Sequence, residues 1–169
     1  MSATTLTSSE LILNPDGSVY HLNLLPEDVA DTIILVGDPN RVAEVSRYFD
    51  RIDVKKTKRE FVTHTGSIGS KRISVVGTGI GAGNIDIAMN ELDALFNIDL
   101  KSRCVKEHHH SLQFIRLGTS GALDPSIPID SFIISQYGVG LDAIVMYYDW
   151  QFSEFERALS VRCKEVFAG

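Results

Sequence analysis

The chain has 169 residues, of which 44% are hydrophobic and 22% charged, with a formal net charge of −6. That composition suits one globular domain over residues 1–169, and without a block of like charge it disfavours nucleic acid or an anionic membrane as partner. Any anion must therefore be held by a few placed arginines, not by a basic surface.

Met1 to Ser9 has neither the basic start nor the apolar core of a secretory leader. No apolar run approaches the ~20 residues that span a bilayer, so a cytoplasmic protein is expected. Cys104 and Cys163 lie too far apart for a metal-type spacing and read as free thiols. Asn14-Pro15-Asp16-Gly17 is a turn signal, and Val19-Tyr20-His21-Leu22 after it is a short extended segment presenting a histidine.

Thr32-Ile33-Ile34-Leu35-Val36 is the β-branched run of a strand buried on both faces. It breaks at Gly37-Asp38-Pro39-Asn40-Arg41, and a helix with Val42, Val45 and Phe49 on its apolar stripe follows, Asp38 being placed to cap it. Two readings stand: an anion site at a helix N-terminus with Arg41 folding over it, or a plain strand-to-helix turn.

Residues 52–58, 60–68 and 71–77 read as antiparallel strands, with Gly69-Ser70-Lys71 as a hairpin turn and Arg59-Glu60-Phe61 between two of them. Ile73 to Gly77 runs into Thr78-Gly79-Ile80-Gly81-Ala82-Gly83-Asn84, and a helix follows over 84–97 with Ile85, Ala88, Met89, Leu92 and Leu95 inward. Gly77-x-Gly79-x-x-Ala82 with Asp99 formally matches a dinucleotide fingerprint, a short pattern of low specificity.

Residues 99–113 form a charged connector. Its His108-His109-His110 run cannot turn three rings to one metal from a regular element and reads as a solvated loop. Phe114-Ile115-Arg116-Leu117 is a further strand that opens into Gly118-Thr119-Ser120-Gly121, a loop of hydroxyls and approachable N–H groups beside one arginine. Ser131 to Ser135 reads as a strand, Gly138 to Tyr148 as extended and apolar, and residues 152–167 as a helix with Phe155, Leu159 and Val166 on one side.

Five motifs in this order resemble the nucleoside phosphorylase family, with the uridine phosphorylase branch nearest in look: Val19-Tyr20-His21-Leu22, Gly37-Asp38-Pro39-x-Arg41, Arg59-Glu60-Phe61, Thr78-Gly79-Ile80-Gly81 and Arg116-x-Gly118-Thr119-Ser120-Gly121-Ala122. The resemblance runs from about residue 10 to about residue 145. It implies an α/β fold of three layers, α/β/α, around a mixed, partly barrel-like sheet. It also implies phosphorolysis of a nucleoside, uridine foremost, to ribose 1-phosphate and free base.

By the same resemblance Gly37, Arg41, Arg59, Arg116 and Thr119 bind phosphate, with Arg41, Arg116 and Thr119 central to catalysis. His21, Thr119, Ser120 and Gly121 meet ribose and base. Arg59 completes the phosphate site of a neighbouring copy and His21 reaches that copy's ribose 5′-hydroxyl, so the chain self-associates as a dimer or hexamer. No cofactor is implied beyond phosphate as co-substrate. A monovalent cation at Glu60 and the Ile80 carbonyl is found in some members, where serine stands in place of Asn84.

Family members continue past the length of this chain through another core strand and a final helix, carrying Gln-x-Arg and Glu-Met-Glu motifs that read base and ribose. The chain is thus expected to be the N-terminal, phosphate-binding portion. A nucleosidase using water, a catalytically silent phosphate-binding fragment and an NAD-binding oxidoreductase built on Gly77–Ala82 are the rivals.

Overall fold

The β-branched run at Thr32–Val36 forms strand β1, an interior strand of a five-stranded mixed sheet in a computed structural model that describes residues 5–168. Residues 1–4, part of the leader reading on Met1–Ser9, and Gly169 lie outside the described residues. The chain divides into two compact units, Met1–Pro128 and Ile129–Gly169.

In the first unit, β2 (Arg51–Lys58), β3 (Phe61–Ile68) and β4 (Lys71–Gly77) form an antiparallel meander. β1 pairs parallel with β4 on one side and with β7 (Gln113–Leu117) on the other, giving the order β2-β3-β4-β1-β7. β5 (Ile98–Asp99) and β6 (Cys104–Val105) make a separate short antiparallel pair. The main sheet is open, with β2 and β7 as its edges.

Period-two alternation sorts β1 between two cores. Ile33 and Leu35 join Phe61, Val76 and the Ala88, Leu92 and Leu95 stripe of α2 (Ala82–Asn97). Val36, with Ile34 packed beside it, joins Val75, Phe49 and Val42 of α1 (Arg41–Ser46) on the opposite face. The layers are therefore α1, sheet and α2, as the α/β/α expectation requires. Full burial of an aliphatic side chain of this size contributes about 1.5–3 kcal/mol, so each face of β1 matters to stability.

Polar positions in the core are mostly tied in. Ser74 Oγ accepts the Ala30 N–H at 2.8 Å and lies 2.7 Å from Thr65 Oγ1. Gly77 permits a close crossing, since a Cβ there would stand 2.9 Å from Pro39 Cα and 3.1 Å from Val42 Cγ2.

Several expectations need correction. Asp38 does not cap α1: its Oδ1 accepts the Asn40 N–H at 2.9 Å and its carbonyl the Arg41 N–H at 3.0 Å. An aspartate closes a local turn by reaching two residues on, and Pro39 places that turn before the helix rather than in it. The connector at 99–113 is not plain solvated loop, because β5 and β6 form there. The His110 ring stacks on Phe96 at 5.3 Å, and the His110 backbone N–H donates to Oδ1 of buried Asn97 at 2.6 Å.

In the second unit Ser131 to Ser135 is not a strand. Phe132 and Ile134 are fully exposed, and a strand exists only where a neighbour takes up its backbone hydrogen bonds. Gly138 to Tyr148 is interrupted by a 3-10 turn at Ile144–Tyr147. The expected helix forms as α3 (Glu154–Ala168), started by a capping box. In that box the Glu156 N–H donates to Ser153 Oγ at 3.2 Å and the Ser153 N–H to Glu156 Oε2 at 2.7 Å.

Candidate functional site

The parallel strands β4, β1 and β7 all end at one edge, and their following loops carry most of the sequence-predicted residues. Ends of parallel strands are where an open α/β sheet offers a crevice. Buried Thr78 binds two of these ends together: its N–H donates to the Val36 carbonyl at 2.9 Å, and its Oγ1 donates to the same oxygen at 3.3 Å. The glycine that follows β1 is thereby fixed against the loop that follows β4.

Arg116 pairs in register with Leu35, so it leaves the sheet on the α2 face and turns toward the strand ends. Its Nη2 would be 3.4 Å from a Cβ placed on Gly37, and the Gly79 carbonyl 3.8 Å from the same point. Gly37, Gly79 and the Arg116 fork thus meet. Arg41 opens α1 from the loop after Gly37 and is half-buried. Neither guanidinium has a hydrogen-bond or ion-pair partner among the described residues.

Thr119, Ser120 and Gly121 are exposed, and the only side-chain bond among them is Ser120 Oγ donating to the Gly121 carbonyl at 3.3 Å. The strand end is formed, but no other part of the first unit closes over this loop.

A second cluster gathers at the β2–β3 turn. Arg59 takes φ 53, the left-handed conformation that a two-residue hairpin asks for and a non-glycine rarely supplies. It donates to Tyr20 Oη at 3.2 Å and lies over the Tyr20 ring at 5.3 Å, while Lys58 Nζ lies 4.5 Å from that ring. Lys58 also donates to Asn14 Oδ1 at 2.7 Å and to the Tyr20 carbonyl at 2.5 Å. Tyr20 in turn meets His21 edge-on at 4.9 Å. Arg59 and His21 are therefore held together, yet neither shares a hydrogen bond with Arg41 or Arg116.

Glu60 and Asn84 converge beside Gly79: a Cβ on that glycine would meet Asn84 Nδ2 at 2.6 Å and Glu60 Cγ at 3.5 Å. Ile80, the next residue, is 89% exposed. Among the described residues no group of three or more His, Cys, Asp or Glu is placed to hold a metal. No described helix is long and apolar enough to cross a membrane.

Two residues without a role in the sequence reading belong to this region. Tyr20 is the platform just described. Glu91, buried on the inner stripe of α2, accepts the His21 Nδ1 at 2.7 Å. A carboxylate among Ala88, Leu92 and Leu95 was the signal that could have found it, since a charge on an apolar stripe requires donors. An open cleft of about 490 Å³, lined by Asp16, Pro26, Asp99 and Lys106 among others, contains none of the sequence-predicted site residues.

Known proteins share the sequence pattern and the fold of this chain. The pattern of the Phosphorylase superfamily matches residues 31–155. Uridine phosphorylase of Thermococcus kodakarensis is 35% identical over 141 residues, covering 83% of this chain and 46% of that protein. A DeoD-type purine nucleoside phosphorylase of Levilactobacillus brevis is 32% identical, over 69% of this chain and 44% of its own length. Among solved structures, a Trypanosoma brucei nucleoside phosphorylase described as showing uridine phosphorylase activity superposes with a TM-score of 0.83 at 29% identity. It covers 92% of this chain, which matches 53% of it. The chain spans about half the length of the relatives it matches. By the matched pattern, the shared identity and the fold, this chain belongs to the Phosphorylase superfamily.

Proposed function

We propose that this chain carries the phosphate-binding half of a nucleoside phosphorylase, one that cleaves the glycosidic bond of a nucleoside, uridine foremost, with inorganic phosphate. The observation that carries the reading is the pair Arg41 and Arg116, two guanidinium groups without partners among the described residues, at the ends of parallel strands in a chain of net charge −6. Planar forks of this kind match phosphate oxygens. Gly37 contributes an N–H and the absence of a side chain, and Thr119 a hydroxyl.

Phosphate held there attacks C1′ of the sugar. A P–O–C1′ linkage forms, the C1′–N bond breaks, and its electron pair leaves with the base. Fixing the phosphate and neutralising its charge beneath C1′ is the chain's own contribution to the barrier. Ser120 and Gly121 line the start of the base pocket.

Arg59 and His21 serve the site of a second copy, which is supported by their being tied to Tyr20 and not to Arg41 or Arg116. The working unit is then a dimer, or three dimers in a hexamer. Phosphate is a co-substrate and no cofactor is required. A monovalent cation between copies, at Glu60 and the Ile80 carbonyl, belongs to the same reading, as does a cytoplasmic setting.

The test is uridine cleavage followed with and without phosphate, with ribose 1-phosphate measured as product, alongside phosphate titration by calorimetry. Phosphate-dependent cleavage supports the reading. Cleavage that proceeds unchanged without phosphate replaces it with a nucleosidase, and phosphate binding without cleavage leaves a binding fragment.

A further inference from the structure

A carboxylate on the buried face of a helix has to be explained by what donates to it. Glu91 is 7% exposed, with Ala88 and Leu92 fully buried on the same stripe. Four bonds converge on it from the segment before β1: the His21 N–H to both oxygens at 2.9 and 3.0 Å, the Leu22 N–H to Oε2 at 2.8 Å, and His21 Nδ1 to Oε1 at 2.7 Å. The backbone donors alone would satisfy a purely structural acid. The fourth bond ties down an imidazole.

A carboxylate only accepts, so the ring nitrogen facing it carries the hydrogen. Tyr20 and Phe61 stand edge-on to the ring, at 4.9 and 6.4 Å. Turning the ring over would exchange the Nδ1 bond for a carbon facing the carboxylate. Nε2 has no hydrogen-bond partner among the described residues, and the His21 side chain retains 25% exposure.

We propose that Glu91 is a positioning residue that fixes His21 as its Nδ1–H tautomer, so that Nε2 of the neutral ring is an acceptor and selects a ligand with a hydroxyl at that place. The inference rests on the reading that His21 faces the sugar of a nucleoside bound by a second copy. An acceptor there takes a sugar hydroxyl as donor, gains nothing from a 5′-deoxy sugar, and repels a 5′-phosphate.

Glu91→Gln is a sensitive probe because no orientation of its amide serves all four donors. If the amide NH₂ faces Leu22, that N–H loses its acceptor; if it faces the ring, Nδ1 must accept and the hydrogen moves to Nε2.

The experiment is a long-range proton–nitrogen correlation spectrum of the ¹⁵N-histidine-labelled full chain, without ligand, at about pH 8.5 where an ordinary imidazole is neutral. The His21 signals are assigned by their loss in His21→Gln. The expected result is a protonated Nδ1 and an unprotonated Nε2 in the wild type, shifting toward a mixture in Glu91→Gln. In parallel, uridine is expected to bind about tenfold tighter than 5′-deoxyuridine, the size of one hydrogen bond, with the ratio collapsing in Glu91→Gln while phosphate affinity holds. A wild-type His21 protonated at Nε2, or a folded Glu91→Gln in which the tautomer shifts while the sugar ratio stays at the wild-type value, overturns the proposal. The wild-type spectrum decides even if the variant does not fold. Since that spectrum needs no substrate, failure of the phosphate requirement would sink the phosphorolysis reading and leave this result standing.

Discussion

Arg41 and Arg116 on one side, Arg59 and His21 on the other, show two ways of holding a functional side chain. The first pair stands at strand ends with no partner among the described residues. The second is anchored in advance: Arg59 by Tyr20, and His21 by Glu91. An anion-binding fork left without internal partners keeps its donors for the ligand, whereas a residue that must project to a distant ligand gains from losing its freedom before binding. The difference teaches that the first pair should be cheap for the fold to lose and dear for phosphate, and the second the reverse within its own chain.

The largest expected effect is on phosphate. Arg116→Ala should weaken phosphate binding by about 1.5–3 kcal/mol, the range for hydrogen bonds to a charged partner, while thermal stability moves by no more than about 0.5 kcal/mol. Calorimetric titration beside a melting curve measures both; a large loss of stability with intact phosphate affinity would invert the comparison.

Next comes the frame under the forks. Gly77→Ala sets a methyl 2.9 Å from Pro39 Cα and should destabilise the fold by about 1–3 kcal/mol, because backbone cannot step aside as a side-chain tip can. Denaturant unfolding checks it, and a neutral result would show that the β1–α1 loop is slack.

A smaller effect is expected at the second pair. Tyr20→Leu removes the ring beneath Arg59 and Lys58 and should cost about 0.5–1 kcal/mol of stability, read from thermal melting.

The smallest effect lies outside both pairs. Burial, and secondarily the positive charge of Lys55, lowers the pKa of His64, whose Nδ1 sits 2.8 Å from Ser46 Oγ. A folded value below the unfolded one means stability is fully present above about pH 6.5 and is lost as pH falls through the folded value. The melting temperature should therefore drop between about pH 7 and pH 5, with a shallower slope in His64→Gln. An identical slope in the variant removes His64 as the cause.

Much of this architecture could be read from residues alone. The run Thr32–Val36 could only be a doubly buried strand, and the alternation of 52–58, 60–68 and 71–77 fixed a meander whose observed bounds differ by a residue at most. The resemblance put Gly37 and Arg116 in one site, and the fold brings the Arg116 fork beside Gly37. What escaped the sequence were contacts between remote segments. Glu91 lies 70 residues from His21, and no local pattern announces which backbone N–H groups a buried acid will find. The strand expected at Ser131–Ser135 failed for the converse reason: its composition was right, but a strand also needs a neighbour.

The sheet order also has a meaning in time. The β2-β3-β4 meander joins through two tight turns and can form from neighbouring residues, whereas β1 must wait for β4, and β7 for β1, across long stretches of chain. In pulse-labelled hydrogen exchange during refolding, the amides of β2–β4 should therefore be protected before those of β1 and β7. On that order Gly37 and Arg116 would come together only in the last step, so phosphate capture at the proposed site would double as a signal that the sheet has finished folding.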